Sequence, residues 1–120
     1  DIAKELEKCM ATLGVKSKSR LVQEALRYFI AEHRWRLGGR VAGVLGILYD
    51  HEIGHADEEL TDIQHHYLDV ITSALHVHLD ERRCMLIIVV RGDSDRIKKL
   101  LAEIERVRGV LAAKPMLISG

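Results

Sequence analysis

Apolar positions in the first forty residues recur at helical spacing. Ile2, Leu6, Cys9, Met10 and Leu13 fall on one stripe, and Gly14 ends the pattern where a C-terminal cap is expected. Ser17 is the N-cap candidate for a second helix, whose apolar face is Leu21, Val22, Ala25, Leu26, Phe29 and Ile30. Two helices this short cannot bury such faces alone, so the segment is expected to dimerise or to pack on the next domain of the chain. Cys9 and Met10 belong to that packing.

Arg36 to Arg40, with Gly38 and Gly39 between, reads as a linker, and beyond it the period changes. Val41 to Tyr49 is a short apolar run, as in a strand buried on both sides. Asp50 to Asp57 is a polar loop containing Gly54. A helix from about Glu58 to Thr72 follows, with Leu60, Ile63, Tyr67, Leu68 and Ile71 as its stripe. From Ala74 to Leu79 the period is two: Leu75, Val77 and Leu79 take one face and His76 and His78 the other. Asp80 to Arg83 makes a turn, and Cys84 to Val90 is a further strand ending at Gly92. Asp93 or Ser94 then caps a helix presenting Ile97, Leu100, Leu101, Ile104 and Val107, which stops at Gly109. The last strand, Val110 to Ile118, contains the single proline, Pro115, and is therefore expected at an edge or bulged. Strand, helix, strand, strand, helix, strand is the split βαβ order. The fold class is thus α+β, a βαββαβ ferredoxin-like domain of one antiparallel sheet covered on one face by two helices, preceded by a helical segment.

Composition changes this picture in two places. At 120 residues and 48% hydrophobic, the chain suits one ordinary domain or two small ones sharing an oligomer core. Net charge is zero, yet residues 1–40 carry nine Lys or Arg against five acids, a balance of +4 offset by −4 in the remainder. Such asymmetry hints at a nucleic-acid-facing arm joined to a different module. The apolar run Cys84–Val90 is seven residues, far short of the roughly 20 a membrane helix needs. With no charged-then-apolar leader either, the expected location is cytoplasmic, without membrane contact. Cys9 and Cys84 are then expected as thiols.

The chemistry concentrates between Gln64 and Cys84, which holds His65, His66, His76, His78 and Cys84. Imidazole and thiolate together suit a late first-row ion better than magnesium or calcium. On a strand, His76 and His78 point the same way, and the alternation puts them on the face opposite the residues expected to pack on the helices. Cys84 opens the partner strand, within about 5 Å across a hairpin. These three can offer two nitrogens and a sulfur to one ion, whereas His65 lies on a helix expected to cover the other face. His33, His51 and His55 read as surface or loop residues, with His51 and His55 a candidate accessory pair.

Gln64-His65-His66, Leu75-His76-Val77-His78, Asp80-Glu81, Cys84, Gly92 and Arg108-Gly109-Val110 together resemble the metal-binding domain of the nickel-responsive transcriptional regulators, and with Gly14 the resemblance runs over nearly the whole chain. It implies that His76, His78 and Cys84 of one subunit and His65 of another ligate a square-planar Ni(II), a donor set whose planar nitrogen and sulfur coordination favours Ni(II) or Cu(II) over tetrahedral zinc. It also implies a homotetramer, a dimer of dimers, flanked by ribbon-helix-helix units that place a two-stranded ribbon in the major groove of a palindromic double-stranded operator. The expected division is a ribbon-helix-helix segment at 1–36 with its ribbon strand missing, a linker at 37–40, and a metal-binding, tetramerising, ACT-like domain at 41–120. Where relatives usually carry Arg-Ser-Glu-Ala-Ile-Arg-Asp, this chain reads Lys18-Ser19-Arg20-Leu21-Val22-Gln23-Glu24. Lys16, Lys18 and Ser19, at the helix N-terminus, remain able to hold a DNA phosphate.

The expected function is a nickel-dependent repressor controlling nickel-uptake genes. The alternative is a ferredoxin-like metal-binding or small-molecule-sensing module without DNA binding. An enzyme is not expected: no oxyanion loop or orienting third group accompanies Cys84, and four filled ligand positions leave none for a substrate.

Overall fold

Asp1 caps the first helix by accepting from the Lys4 amide, and Gly14 closes it in a left-handed conformation (φ 72°) that L side chains rarely adopt. This is α1, Ile2–Leu13, in a computed structural model describing residues 1–119. Ser17 Oγ accepts from the Arg20 amide at 3.3 Å and opens α2, Lys18–His33. Neither helix contains a buried residue; Val22, Leu26, Phe29 and Ile30 are all exposed. The faces read from the sequence are present, and these two helices do not cover them.

The chain divides into two compact units between His33 and Arg34. That falls ahead of the glycine pair expected as linker, because the 3₁₀ turn Arg34–Leu37 belongs to the second unit. Trp35 is 1% exposed there, the turn packs on the last helix and last strand, and Lys98 Nζ donates to the Arg36 carbonyl at 3.1 Å.

The second unit comprises β1 (Arg40–Asp50), α3 (Ala56–His65), β2 (Ile71–His78), β3 (Arg83–Asp93), α4 (Ser94–Glu105) and β4 (Val110–Ser119). The sheet order is β2-β3-β1-β4, with every neighbouring pair antiparallel. This is the α+β, ferredoxin-like arrangement expected, with Pro115 on edge strand β4 and a register shift at Leu48/Tyr49. Asp93 caps α4 by accepting from the Asp95 amide at 2.8 Å. Leu45, Ile47, Ile88, Ile97, Leu100 and Ile104 form the centre of the core between sheet and helices. Gly43 is dictated by close approach: a Cβ there would run into the Met116 carbonyl and the Leu117 backbone on β4.

Three expectations are corrected. The central strand is not buried on both sides; Val41, Leu45, Ile47 and Tyr49 are buried, while Ala42, Val44, Gly46 and Leu48 are only partly covered. The helix expected to reach Thr72 ends at His65. Tyr67 continues the apolar stripe but belongs to a turn whose Val70 and Ile71 amides both bond to the Tyr67 carbonyl, after which the β-branched run Val70-Ile71-Thr72 enters the sheet. Finally, the alternation of β2 is right but its faces are exchanged. Leu75 is 57% exposed, and His76 and His78 lie opposite Leu86 and Cys84, on the helix-covered side.

Candidate metal centre

A hairpin sets the geometry. Asp80 Oδ1 accepts from the amides of Arg82 (3.0 Å) and Arg83 (2.7 Å), and Oδ2 accepts from Arg83 Nε at 2.8 Å. These donors, the Arg83 amide foremost, hold the Asp80 carboxyl down at about 2. The turn so fixed places His78 directly opposite Cys84 and His76 opposite Leu86. Because the folded value lies below the ordinary one, this carboxylate supports the fold above pH 4 and the support disappears as pH falls towards 2. In metal-free protein, Asp80→Ala is expected to flatten that acid limb: thermal melts at pH 5 should separate the variant from wild type, and melts near pH 2 should bring them together.

The ligating atoms of His76, His78 and Cys84 all lie within 4.8 Å of one another. Cys84 Sγ is 3.3 Å from His78 Nδ1, a distance at which thiol and ring share a hydrogen bond. Two donors on one ion, with bonds of about 2.0 Å to nitrogen and about 2.3 Å to sulfur, stand roughly 3.1 Å apart at a right angle and roughly 3.5 Å apart at a tetrahedral one. The Cys84–His78 spacing lies between these, so that pair fits a single ion as it stands, and His76, within 4.8 Å of both, is the third donor at hand. Cys84 is fully buried while both rings are exposed, which leaves the cluster open on the histidine side.

Burial pushes the Cys84 thiol up, and the charges of Asp57, Asp80 and Asp50 add to it. The same carboxylates make the neighbourhood attractive to a cation. Tyr49 pairs with Cys84 across β1 and β3. Its hydroxyl donates to Asp57 Oδ1 at 2.6 Å and lies 2.9 Å from His76 Nε2. Burial first, and then the bond to Asp57, raise the Tyr49 phenol, so it remains a donor at neutral pH.

Among the described residues, His65 is not in this group; it is exposed at the C-terminal end of α3. Yet α3 lies on the same side of the sheet as His76. Asp57, Thr61 and Gln64 line a small cavity of about 190 Å³ with Tyr49, Ala74, His76 and Leu86. His66 Nδ1 donates to the Asp62 carbonyl, and His55 precedes α3 without a capping hydrogen bond. His51, expected as a surface or loop residue and as a candidate accessory partner of His55, has its Nε2 2.6 Å from the Glu81 carbonyl and its ring 6.5 Å from that of His78. Tyr49 and Asp57 were not visible as site residues in the spacing of histidines. The signal was the register, since a polar aromatic ending the central strand must stand opposite the start of β3.

Lys16, Lys18 and Ser19 are exposed around the start of α2. Both cysteines are free thiols, and no helix among the described residues is long and apolar enough to cross a membrane.

Residues 42–118 match the family described as NikR C terminal nickel binding domain. A provisionally named nickel-responsive regulator of Dictyoglomus thermophilum is 41% identical over 111 residues, covering 92% of this chain and 82% of that protein. Proteins given the same provisional name in Pyrococcus abyssi and Methanocaldococcus jannaschii are 35% and 36% identical, with 99% and 94% of this chain and 87% and 82% of theirs covered. Among solved structures, uncharacterised protein TM1266 of Thermotoga maritima superposes with a TM-score of 0.54 at 17% identity, over 66% of this chain and 98% of that one, a likeness of fold.

Proposed function

The chain belongs to the NikR C-terminal nickel-binding domain family, and from that premise we propose that it is a nickel-sensing transcriptional repressor acting on nickel-uptake genes. His76, His78 and Cys84 of one subunit hold Ni(II), and His65 of a second subunit completes the set. The observation that carries the reading is the convergence of two imidazoles and a buried thiol within 4.8 Å on a rigid hairpin. Bound nickel supplies a fixed cationic cross-link; the protein supplies its direction. The ring atoms are aimed by strand register, the thiol by its buried place on β3, and the hairpin by Asp80.

The N-terminal unit carries the DNA side of this function. α1 and α2 expose amphipathic faces, as helices that pair with another copy do, and Lys16, Lys18 and Ser19 cluster where a helix N-terminus can meet a phosphate. The partner is double-stranded operator DNA with two-fold symmetry, met by a homotetramer built as a dimer of dimers, in the cytoplasm. The assembly is supported by the open sheet face, which carries Val44, Leu48, Ile87, Val89, Leu75 and Met116, with Lys114 opposite Gly46 among them. A ligand shifts such an assembly only through different affinity for its two arrangements, and a ligand donated in trans provides that difference.

A mobility shift on promoter DNA of a nickel-uptake operon tests this. Binding is expected with Ni(II) and strongly reduced on chelation. Equal binding in both arms would overturn the switch, and nickel uptake with no shift in either arm would leave a metal-binding module without DNA recognition.

A further inference from the structure

The contact between Tyr49 and His76 has a direction that comes from counting protons. A phenol carries one hydrogen, and at 2.6 Å the Tyr49 hydroxyl gives it to Asp57 Oδ1. Towards His76 Nε2, 2.9 Å away, the same oxygen can therefore only accept. Nε2 must bear the ring proton, and Nδ1 is left with its lone pair. Asp57 sits on the first turn of α3 and Tyr49 at the end of β1, so two separate elements lock this arrangement in place.

We propose that Tyr49, itself oriented by Asp57, is a positioning residue that holds His76 as the Nε2–H tautomer and so presents Nδ1 to the metal. The chain of donors runs from His76 Nε2–H to Tyr49 Oη, and from Tyr49 Oη–H to Asp57. A ligating imidazole whose second nitrogen donates to a fixed acceptor is held in one tautomer and one ring orientation, and is the better ligand for it. This role rests on His76 being a nickel ligand, and it adds which of the two ring nitrogens binds and what decides it.

The test uses the full chain with ¹⁵N-labelled histidine, metal-free and at a pH where the rings are neutral, together with titration by Ni(II) alone. Two-bond ¹H–¹⁵N spectra distinguish a protonated ring nitrogen from one carrying a lone pair. Wild type is expected to show His76 with the proton on Nε2. Tyr49→Phe should populate both tautomers. Asp57→Ala frees the hydroxyl to donate to Nε2 and should move His76 towards the Nδ1–H form, while Asp57→Asn, whose side-chain oxygen still accepts, should restore the wild-type spectrum. Ni(II) affinity should fall about 10- to 100-fold in Tyr49→Phe and Asp57→Ala and be spared in Asp57→Asn. Asp57 is exposed on its helix, so its variants keep the core intact. A wild-type His76 protonated on Nδ1, or Tyr49→Phe with wild-type tautomer and affinity, would overturn the proposal. Wild-type protein that shows the Nε2–H tautomer yet binds no Ni(II) would overturn the ligand reading itself, and with it the purpose assigned to Tyr49.

Discussion

Cys84→Ala is expected to abolish the thiolate-to-nickel absorption band and to weaken Ni(II) binding by roughly 100-fold or more. The size comes from dividing the binding energy of a four-ligand site, about 10–16 kcal/mol, among its members: one ligand is then worth on the order of 3 kcal/mol. Cys84 is the one member of the cluster shielded from water, and it stands between His78 across one strand pair and Tyr49 across the other. Its loss therefore removes the donor that both neighbours are built around, and Cys84 is the single cysteine of its compact unit. Cys84→Ser keeps the side-chain volume and separates ligand loss from packing loss. It should lose the band as well while melting close to wild type in the metal-free state. A charge-transfer band surviving in either variant would place the sulfur outside the metal's coordination sphere.

The sheet explains what could be read from the residues and what could not. The order of elements was legible because Val41–Tyr49 and Cys84–Val90 are apolar runs of strand length, and because the Ile97, Leu100, Leu101, Ile104 stripe has helical period. The alternation of β2 was legible too, but its direction was not. Placing the apolar Leu75, Val77 and Leu79 inward assumes that apolar means covered by this chain's own helices, whereas the helix-covered edge of the sheet is where His76 and His78 meet Tyr49 and Cys84. A period-2 pattern assigns residues to two faces without saying which face the helices cover. That decision came from strand pairing: His78 opposite Cys84, Cys84 opposite Tyr49, with Tyr49 in the core. The exchange also removes the objection to His65 drawn from the sequence, since α3 lies on the histidines' side of the sheet. The end of α3 was missed for a different reason. Tyr67 and Ile71 keep helical spacing from Leu60 and Ile63, but they serve a tight turn and a strand start, which use the same apolar residues in another backbone.

If the open sheet face joins subunits, a charge there should undo both assembly and nickel binding, although it lies on the side of the sheet away from the metal cluster. Ile87→Lys is the sharpest case. Ile87 is flanked by Gly46 and Leu75 in the two neighbouring strands, in a surface continued by Val89, Val44 and Met116. It is half-buried by its own subunit, so a lysine there can reach solvent in the separated chain and the monomer fold should persist. In a symmetric interface the substitution is repeated in every copy, and an unpaired buried charge costs several kcal/mol each time, so the apparent dissociation constant should rise by roughly 1000-fold or more. Light scattering after size exclusion at micromolar concentration should then find smaller species than in wild type. The nickel titration of the same variant tests the proposal that His65 of another subunit completes the site. Supplied by another subunit, it is lost with the assembly, and Ile87→Lys should bind Ni(II) as weakly as His65→Ala in the wild-type background. A variant reduced to monomers that kept wild-type affinity would show the fourth ligand coming from the subunit's own α3, and the link between nickel and assembly would then have to run through the turn that joins that helix to β2.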